Sequence, residues 1–343
     1  MGVDIGPIIE REAVSLDHFK GKKIAIDAYN TIYQFLTIIR QPDGTPLQDS
    51  SGNITSHLSG LFYRNCNLLE RGIRPIYVFD GTPSELKKET LAKREEAKKL
   101  AQQQMEEAIK EGRTELAAML SQRTVRLNAV MVGQCKELLE LMGIPYIQAP
   151  SEGEAQCARM CADGMVYAAA SQDYDSILFG APVLARNITI SGRRKIPSRQ
   201  MFTEINPEII ELTKVLEKLN INRQKLIWLA MLIGTDFNKG VYGIGPKKGL
   251  KLVLECENLT EISNKLKEPQ EFLNVQPVED LFMNPPSRKV EESEIRFQRA
   301  KVDKIIDLLC VKCGFSQARV ESSMAKAYEQ SMDTSQNSLT KWF

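Results

Sequence analysis

At 343 residues, 43% of them hydrophobic and 26% charged, the chain has room for one large or two modest domains with ample core, in an ordinary globular composition. The opening MGVDIGPIIE lacks the basic flank and long apolar core of a signal peptide, and no apolar run is long enough to span a membrane. Seven irregularly spaced cysteines do not suggest a secreted disulfide framework, so an intracellular protein with no membrane partner is expected; the net charge of +1 excludes a nucleic-acid partner only if acids and bases are evenly spread.

In chain order, KKIAID (22–27) is an apolar run ending in Asp27, and the helical spacing of AYNTIYQFLTII follows it. The stretch 40–56 is rich in Gly, Pro, Asp, Ser and Asn and reads as a loop. After a helical segment, IRPIYVFDG forms a second buried-type strand ending at Asp80. From Ser84 to Asn128 the chain is strongly charged and reads as two helices projecting from the body, broken at Glu111-Gly112. On the first, Lys87, Arg94 and Lys98 fall on one face, since spacings of 7 and 11 residues return to within about 20° at roughly 100° per residue. A solvated mixed-charge helix is the plain alternative; the basic stripe starts just past Asp80 and would hold phosphates near it.

The stretch 149–179 carries two carboxylate pairs of the same spacing, Glu152 with Glu154 and Asp173 with Asp175, on either side of a predicted strand (165–171). Singly, Ser151-x-x-Glu154 is also a capping box, and Asp173 or Asp175 could be a turn former. Together they concentrate negative charge that a hard divalent cation would offset. Three strands ending at or near a carboxylate, with helices between, predict an α/β fold: a central, mostly parallel twisted sheet with helices on both faces, its ligands bound beyond the carboxyl ends of the strands.

Beyond it, VGQCKELLEL reads as an amphipathic helix, and PVLARNITIS and RRKIPSRQMFTEI as strands with a basic turn. An apolar helix then ends at Gly234-Thr235-Asp236, the seventh carboxylate. Gly243-Ile-Gly245-Pro-Lys247-Lys248 opens a helix whose exposed amides and lysines suit one backbone phosphate of a duplex, a helix-hairpin-helix-type element blind to sequence. Cys310-Val-Lys-Cys313 is a lone pair with no histidine near, and reads as structural. The terminus QNSLTKWF places Trp342 and Phe343 after Gln336 and Leu339, the look of a short linear motif that docks in a partner's pocket; folding back on the protein is the alternative.

IAIDAYN, VFDG with TLAKREE, APSEGEAQCA, SQDYDSILFG, LIGTDFNKGVYGIGPKKGL and QNSLTKWF, in this order, resemble the archaeal flap endonucleases, structure-specific 5′ nucleases of replication and repair, over essentially the whole length. The resemblance implies two-metal hydrolysis of DNA phosphodiesters at 5′ flaps, with 5′–3′ exonuclease activity, in Okazaki fragment maturation and repair. It puts two Mg²⁺ ions, with Mn²⁺ as a substitute, on Asp27, Asp80, Glu152, Glu154, Asp173, Asp175 and Asp236; the first four serve one ion and the last three the other, some through water. Lys87, Arg94 and Asp175 carry the catalytic roles; Lys87 and Arg94 steer the scissile phosphate from an arch over the flap. DNA contacts fall on Gly2, Tyr33, Lys87, Arg94, Lys98, Gly234, Gly243, Gly245, Lys247 and Lys248, with a monovalent cation near Gly240–Ile244. Gly240 departs from the serine common in eukaryotic relatives, which weakens the case for that cation.

Gln336, Leu339, Trp342 and Phe343 resemble the peptide that binds the sliding clamp (PCNA). Nothing follows Phe343, whereas eukaryotic relatives carry a basic tail, so an archaeal-type cytoplasm or nucleoid protein without a nuclear signal is expected, monomeric alone. The expected organisation is an N-terminal nuclease region (1–98), an arch segment (99–115), an internal nuclease region with the duplex-binding hairpin (116–258), a C-terminal helical region (259–328) and a flexible clamp-binding tail (329–343). Two alternatives remain open, a non-catalytic clamp-bound DNA scaffold and a metal-dependent ribonuclease of similar fold.

Overall fold

A computed structural model describes residues 2–41, 44–190, 192–195, 202–266 and 275–339, with 192–195, 202–204 and 329–339 described in backbone alone. Strands β1 (Glu12–Ala13), β2 (Lys23–Asp27), β3 (Arg74–Phe79), β4 (Tyr146–Gln148), β5 (Ala168–Ala170), β6 (Val183–Arg186) and β9 (Glu208–Glu211) make one sheet; β7 (Gly192–Lys195) and β8 (Phe202–Ile205) pair separately. The helices are α1 (Ala28–Ile38), α2 (Ser56–Glu70), α3 (Lys88–Lys110), α4 (Thr114–Arg123), α5 (Ala129–Met142), α6 (Gly153–Ala162) and α7 (Asp175–Leu178). After them come α8 (Leu212–Leu219), α9 (Arg223–Ile233), α10 (Pro246–Leu254), α11 (Leu259–Lys265), α12 (Gln276–Met283), α13 (Val302–Ile306) and α14 (Gln317–Leu339).

The sheet order is β1-β9-β6-β5-β2-β3-β4. Strands β2 to β6 run parallel, and antiparallel pairing enters only at β9 and β1. The parallel strands read as unbroken apolar runs because both faces are covered. Ile24, Ile26, Tyr77, Phe79, Ala168 and Ala170 face α1, α2, α5, α13 and α14, while Ala25, Ile76, Val78 and Ala169 face α6 to α12. From β2 the chain steps outward to β3 and β4, then crosses back to lay β5 on the other side of β2. That reversal makes the carboxyl end of β2 a topological switch point, the crevice where open α/β sheets bind ligands.

The charged stretch after Asp80 folds as the helical hairpin α3–α4, turned at Gly112 with φ +72°. Its two helices pack on each other through a small core of Ala101, Ala108 and Leu120, separate from the cores that flank the sheet. Strand β6 is shorter than PVLARNITIS predicted, because Asn187 takes a left-handed turn (φ 63°) and ends it. The basic turn between β7 and β8 lies outside the described residues. All seven cysteines are free, and Cys310 sits in the π-helical turn Asp307–Lys312. Backbone from 329 to Leu339 continues α14 as helix, where a flexible tail was expected; this stretch has neither Gly nor Pro to break it. No helix among the described residues is long and apolar enough to cross a membrane.

Candidate active site

The acids announced at the strand ends meet at the switch point. Asp27 closes β2 and caps α1, its Oδ1 accepting from the Asn30 amide at 3.0 Å. In-register pairing of β2 with β3 and β5 brings the segments after Phe79 and Ala170 alongside it, which positions Asp80 and the Ser171–Asp173 turn. Asp80 accepts from the Gly153 amide at 2.6 Å; a Cβ at Gly153 would lie 2.7 Å from the same oxygen, so only glycine lets α6 start this close to a carboxylate.

The capping box suggested by Ser151 and Glu154 does not form. Glu152 is the N-cap of α6 without a side-chain cap bond, and Glu154 instead accepts from Ser171 Oγ at 2.6 Å. Asp173 Oδ2 accepts from Asn30 Nδ2 at 2.8 Å, and Asp175 Oδ1 from the Val3 amide at 3.1 Å. Gly2 abuts both acids: a Cβ there would stand 2.7 Å from Asp175 Oδ1 and 2.9 Å from Asp173 Cβ. Asp236 lies just past the end of α9.

These carboxylates feel one another. Burial, then the charges of Asp80 and Asp173, lift Asp27 well above the usual carboxylate range. Burial and Glu152 push Asp80 up to about 6; burial, Asp236 and Asp173 push Asp175 to about 7. Glu154 is lifted by burial and by Asp175, Asp173 and Asp27. The repulsions therefore link all seven acids into one electrostatic set.

The cations that offset them come from the base of the helical hairpin. Lys87 Nζ lies 2.5 Å from Glu152 Oε2 and 3.5 Å from Asp236 Oδ2, and Arg94 reaches Asp236 Oδ1 at 2.5 Å. Burial works to lower the Lys87 pKa, but Glu152, Asp236 and Asp80 outweigh it and keep the ammonium charged. Among the described residues no three acidic, histidine or cysteine side chains stand as a ready ligand cage; Lys87 and Arg94 bridge the set instead. Lys98, third on the stripe, turns to Tyr33, with Nζ 5.2 Å from the ring centroid and 3.5 Å from the hydroxyl.

The connection from α9 to α10 forms the other wing. Gly234 takes φ +109°, and a Cβ on it would lie 2.8 Å from the Gly240 amide, while a Cβ on Gly240 would run into the Ile233 carbonyl. The two turns of backbone thus touch, and a side chain at 240 would force them to move apart. Gly243 is left-handed (φ 73°), Gly245 is the N-cap of α10, and Lys247 and Lys248 are exposed on its first turn, with Lys248 Nζ donating to the Gly243 carbonyl at 3.1 Å. Trp342 and Phe343 lie outside the described residues, and Gln336 and Leu339 are described in backbone alone.

Three contributors went unnoticed in the sequence. Asn30 and Ser171 each hold a carboxylate. Arg186 donates to the Gln172 carbonyl at 3.1 Å and the Tyr174 hydroxyl at 2.9 Å, and so pins the turn between the strand and Asp175. Only the i+3 spacing of Asn30 from Asp27 offered a local signal; Arg186 had none.

The sequence and the fold resemble those of known proteins. Residues 1–101 match the XPG N-terminal domain and residues 143–236 the XPG I-region. The chain is 48% identical over 344 residues to flap endonuclease 1 of Pyrococcus furiosus, covering 100% of this chain and 99% of that one. Flap endonuclease-1 from Methanococcus jannaschii superposes with a TM-score of 0.75 at 41% identity over 96% of this chain and 98% of that one. The catalytic core of Rad2, solved in complex with DNA substrate, superposes with a TM-score of 0.69 at 26% identity over 94% and 97%.

Proposed function

This chain belongs to the flap endonuclease 1 family, and from that premise we infer that the carboxylate crevice at the carboxyl edge of its sheet is the active centre of a structure-specific 5′ flap endonuclease of DNA replication and repair. The observation that carries the reading is the convergence of seven acids, from four strand ends and α9, beside two cations on a projecting helical hairpin. The enzyme is a hydrolase that depends on a divalent metal ion. The donor set fits such an ion: the donors are hard carboxylate oxygens, and four of the acids are held up by burial and mutual repulsion that a cation would relieve.

Two Mg²⁺ ions, with Mn²⁺ as a substitute, would be held by Asp27, Asp80, Glu152 and Glu154 and by Asp173, Asp175 and Asp236. Bound there, such ions supply activation of water near neutral pH and stabilisation of charge on the phosphate. Lys87 and Arg94 shift from carboxylates to the scissile phosphate and offset its developing charge. Tyr33 offers a stacking face beside the cut, and Lys98 at its rim meets the flap backbone. Gly2 keeps the amino terminus close to the acids without filling the crevice. The Gly234–Gly245 turn presents the α10 amides with Lys247 and Lys248 to one duplex phosphate, with a monovalent cation near Gly240–Ile244. Selection of the branched junction follows from shape, a bent duplex with its 5′ strand passing the hairpin. Outside the centre, Gln336, Leu339, Trp342 and Phe343 dock on the sliding clamp (PCNA), and the free protein is a monomer.

The test sets Mg²⁺-dependent cleavage of a double-flap DNA against linear single-stranded DNA. Incision at the junction with little cutting of the linear strand is expected. Equal cutting of both, or none of either, overturns the reading.

A further inference from the structure

One side of the crevice carries a chain of polar contacts that ends on a metal-type carboxylate. Asn30 and Gln34 lie at i and i+4 on α1, hence on one face. Asn30 Nδ2 donates to Asp173 Oδ2 at 2.8 Å, Gln34 Nε2 donates to Asn30 Oδ1 at 2.7 Å, and Thr189 Oγ1 donates to Gln34 Oε1 at 3.3 Å. Thr189 is buried in the turn that follows β6.

The direction of this chain is set by its last member. An ionised carboxylate can only accept, so the Asn30 amide must turn its NH₂ group to Asp173 and its oxygen away. That oxygen accepts only if Gln34 presents its own NH₂, which leaves the Gln34 oxygen for the Thr189 hydroxyl. Every amide is thereby fixed in one of two flips, and the chain is anchored at a buried threonine on a different element. Asn30 does a second job with its backbone, whose N–H caps Asp27. One residue thus ties together acids from β2 and from the turn after β5, which the family reading assigns to different ions. Donation to Oδ2 also engages one oxygen of Asp173 and holds the carboxylate against rotation.

We propose that Asn30, Gln34 and Thr189 form a positioning relay that fixes the Asp173 carboxylate for hydrolysis. The proposal rests on the nuclease reading of the site. A surface Asn–Gln pair serving only helix stability would leave turnover and metal affinity alone; a relay would not, since groups that orient ligand carboxylates typically carry 10- to 100-fold in affinity or activity.

The test compares Asn30→Leu, Gln34→Met and the double variant with wild type. The readouts are double-flap kinetics in Mg²⁺, calorimetric titration of Mn²⁺ into the DNA-free protein, and melting in chelator. Asn30→Leu should lose roughly 10- to 100-fold in kcat with KM for DNA little changed, and weaken Mn²⁺ binding by a similar factor. Gln34→Met should move both in the same direction by less. The double variant should be no worse than Asn30→Leu, because Gln34 acts through Asn30. Wild-type kcat and Mn²⁺ affinity in Asn30→Leu, or losses that multiply in the double variant, overturn the relay. Failure of the wild type to cut the flap would sink the nuclease reading instead, and the Mn²⁺ titration would then decide the relay alone. Should Asn30→Leu not fold, Gln34→Met decides by the same two readouts.

Discussion

Asp175 is only 4% exposed, yet it carries a carboxyl lifted to about 7 by burial and by Asp236 and Asp173. Such a group costs stability in the free protein and serves function when a cation arrives. Asp175→Asn keeps the oxygen that accepts from Val3 and removes the charge. The variant should therefore melt at or above the wild-type temperature in chelator, bind flap DNA, and not cut it; a marked fall in melting temperature would contradict the picture of mutual repulsion. His57 shows the opposite kind of buried group. Fully buried in α2, it pairs through Nε2 with Gln134 Oε1 at 2.9 Å, and its Nδ1 has no partner among the described residues. Burial lowers its pKa. The unfolded chain then takes up the proton first, so this stability is complete above about pH 6.5 and is lost as pH falls below it. Replacing it in His57→Gln should flatten the stability–pH slope between pH 5 and 6.5 by up to about 1.4 kcal/mol per pH unit, measured by denaturant unfolding. An unchanged slope would mean that His57 is not protonated on unfolding in that range.

At the scale of elements, the helical hairpin and the α9–α10 turn hold the substrate-facing groups by different means. The hairpin has its own small core, and polar contacts tie it to the body: Lys87 and Arg94 at its base, and Arg40 donating to Ser121 on α4. Leu120→Ala should cost about 2–5 kcal/mol of local stability, seen as faster hydrogen exchange across α3 and α4 with the main melting transition little moved. A matching drop in the main transition would show that the two cores melt together. The α9–α10 turn depends on backbone meeting backbone. Gly240→Ala puts a methyl into the Ile233 carbonyl, and should cost about 1–3 kcal/mol while weakening duplex binding. Binding and melting both at wild-type values would mean the turn tolerates the shift. Both elements were legible as helices and a turn, since periodicity and glycine placement are local signals. That Lys87 and Arg94 would rest on carboxylates rather than point into solvent was not legible, because the partners lie 65 and 142 residues away.

For the whole molecule, a near-neutral charge conceals an acidic crevice, met by Lys87 and Arg94 at the base of the hairpin, while Lys247 and Lys248 are exposed on α10. Divalent ions should raise the melting temperature, by about 2.7 kcal/mol of stability at a hundredfold excess over the dissociation constant, and the Asp175→Asn variant should gain less. Equal gains in both would place the ions elsewhere. What the sequence determined by itself was the alternation of strands and helices and the acids at the strand ends, because apolar periodicity and strand-terminating residues are written locally along the chain. From these came the parallel sheet and the edge where its ligands bind. The tertiary structure alone decided which donor holds each carboxylate: Val3 on Asp175, Gly153 on Asp80, Ser171 on Glu154, Asn30 on Asp173. Those pairings arise when β4 lies along β3 and β5 crosses back beside β2, which fixes register between distant segments. A hydrogen bond responds to tenths of an ångström and to direction, and neither exists until the sheet is assembled.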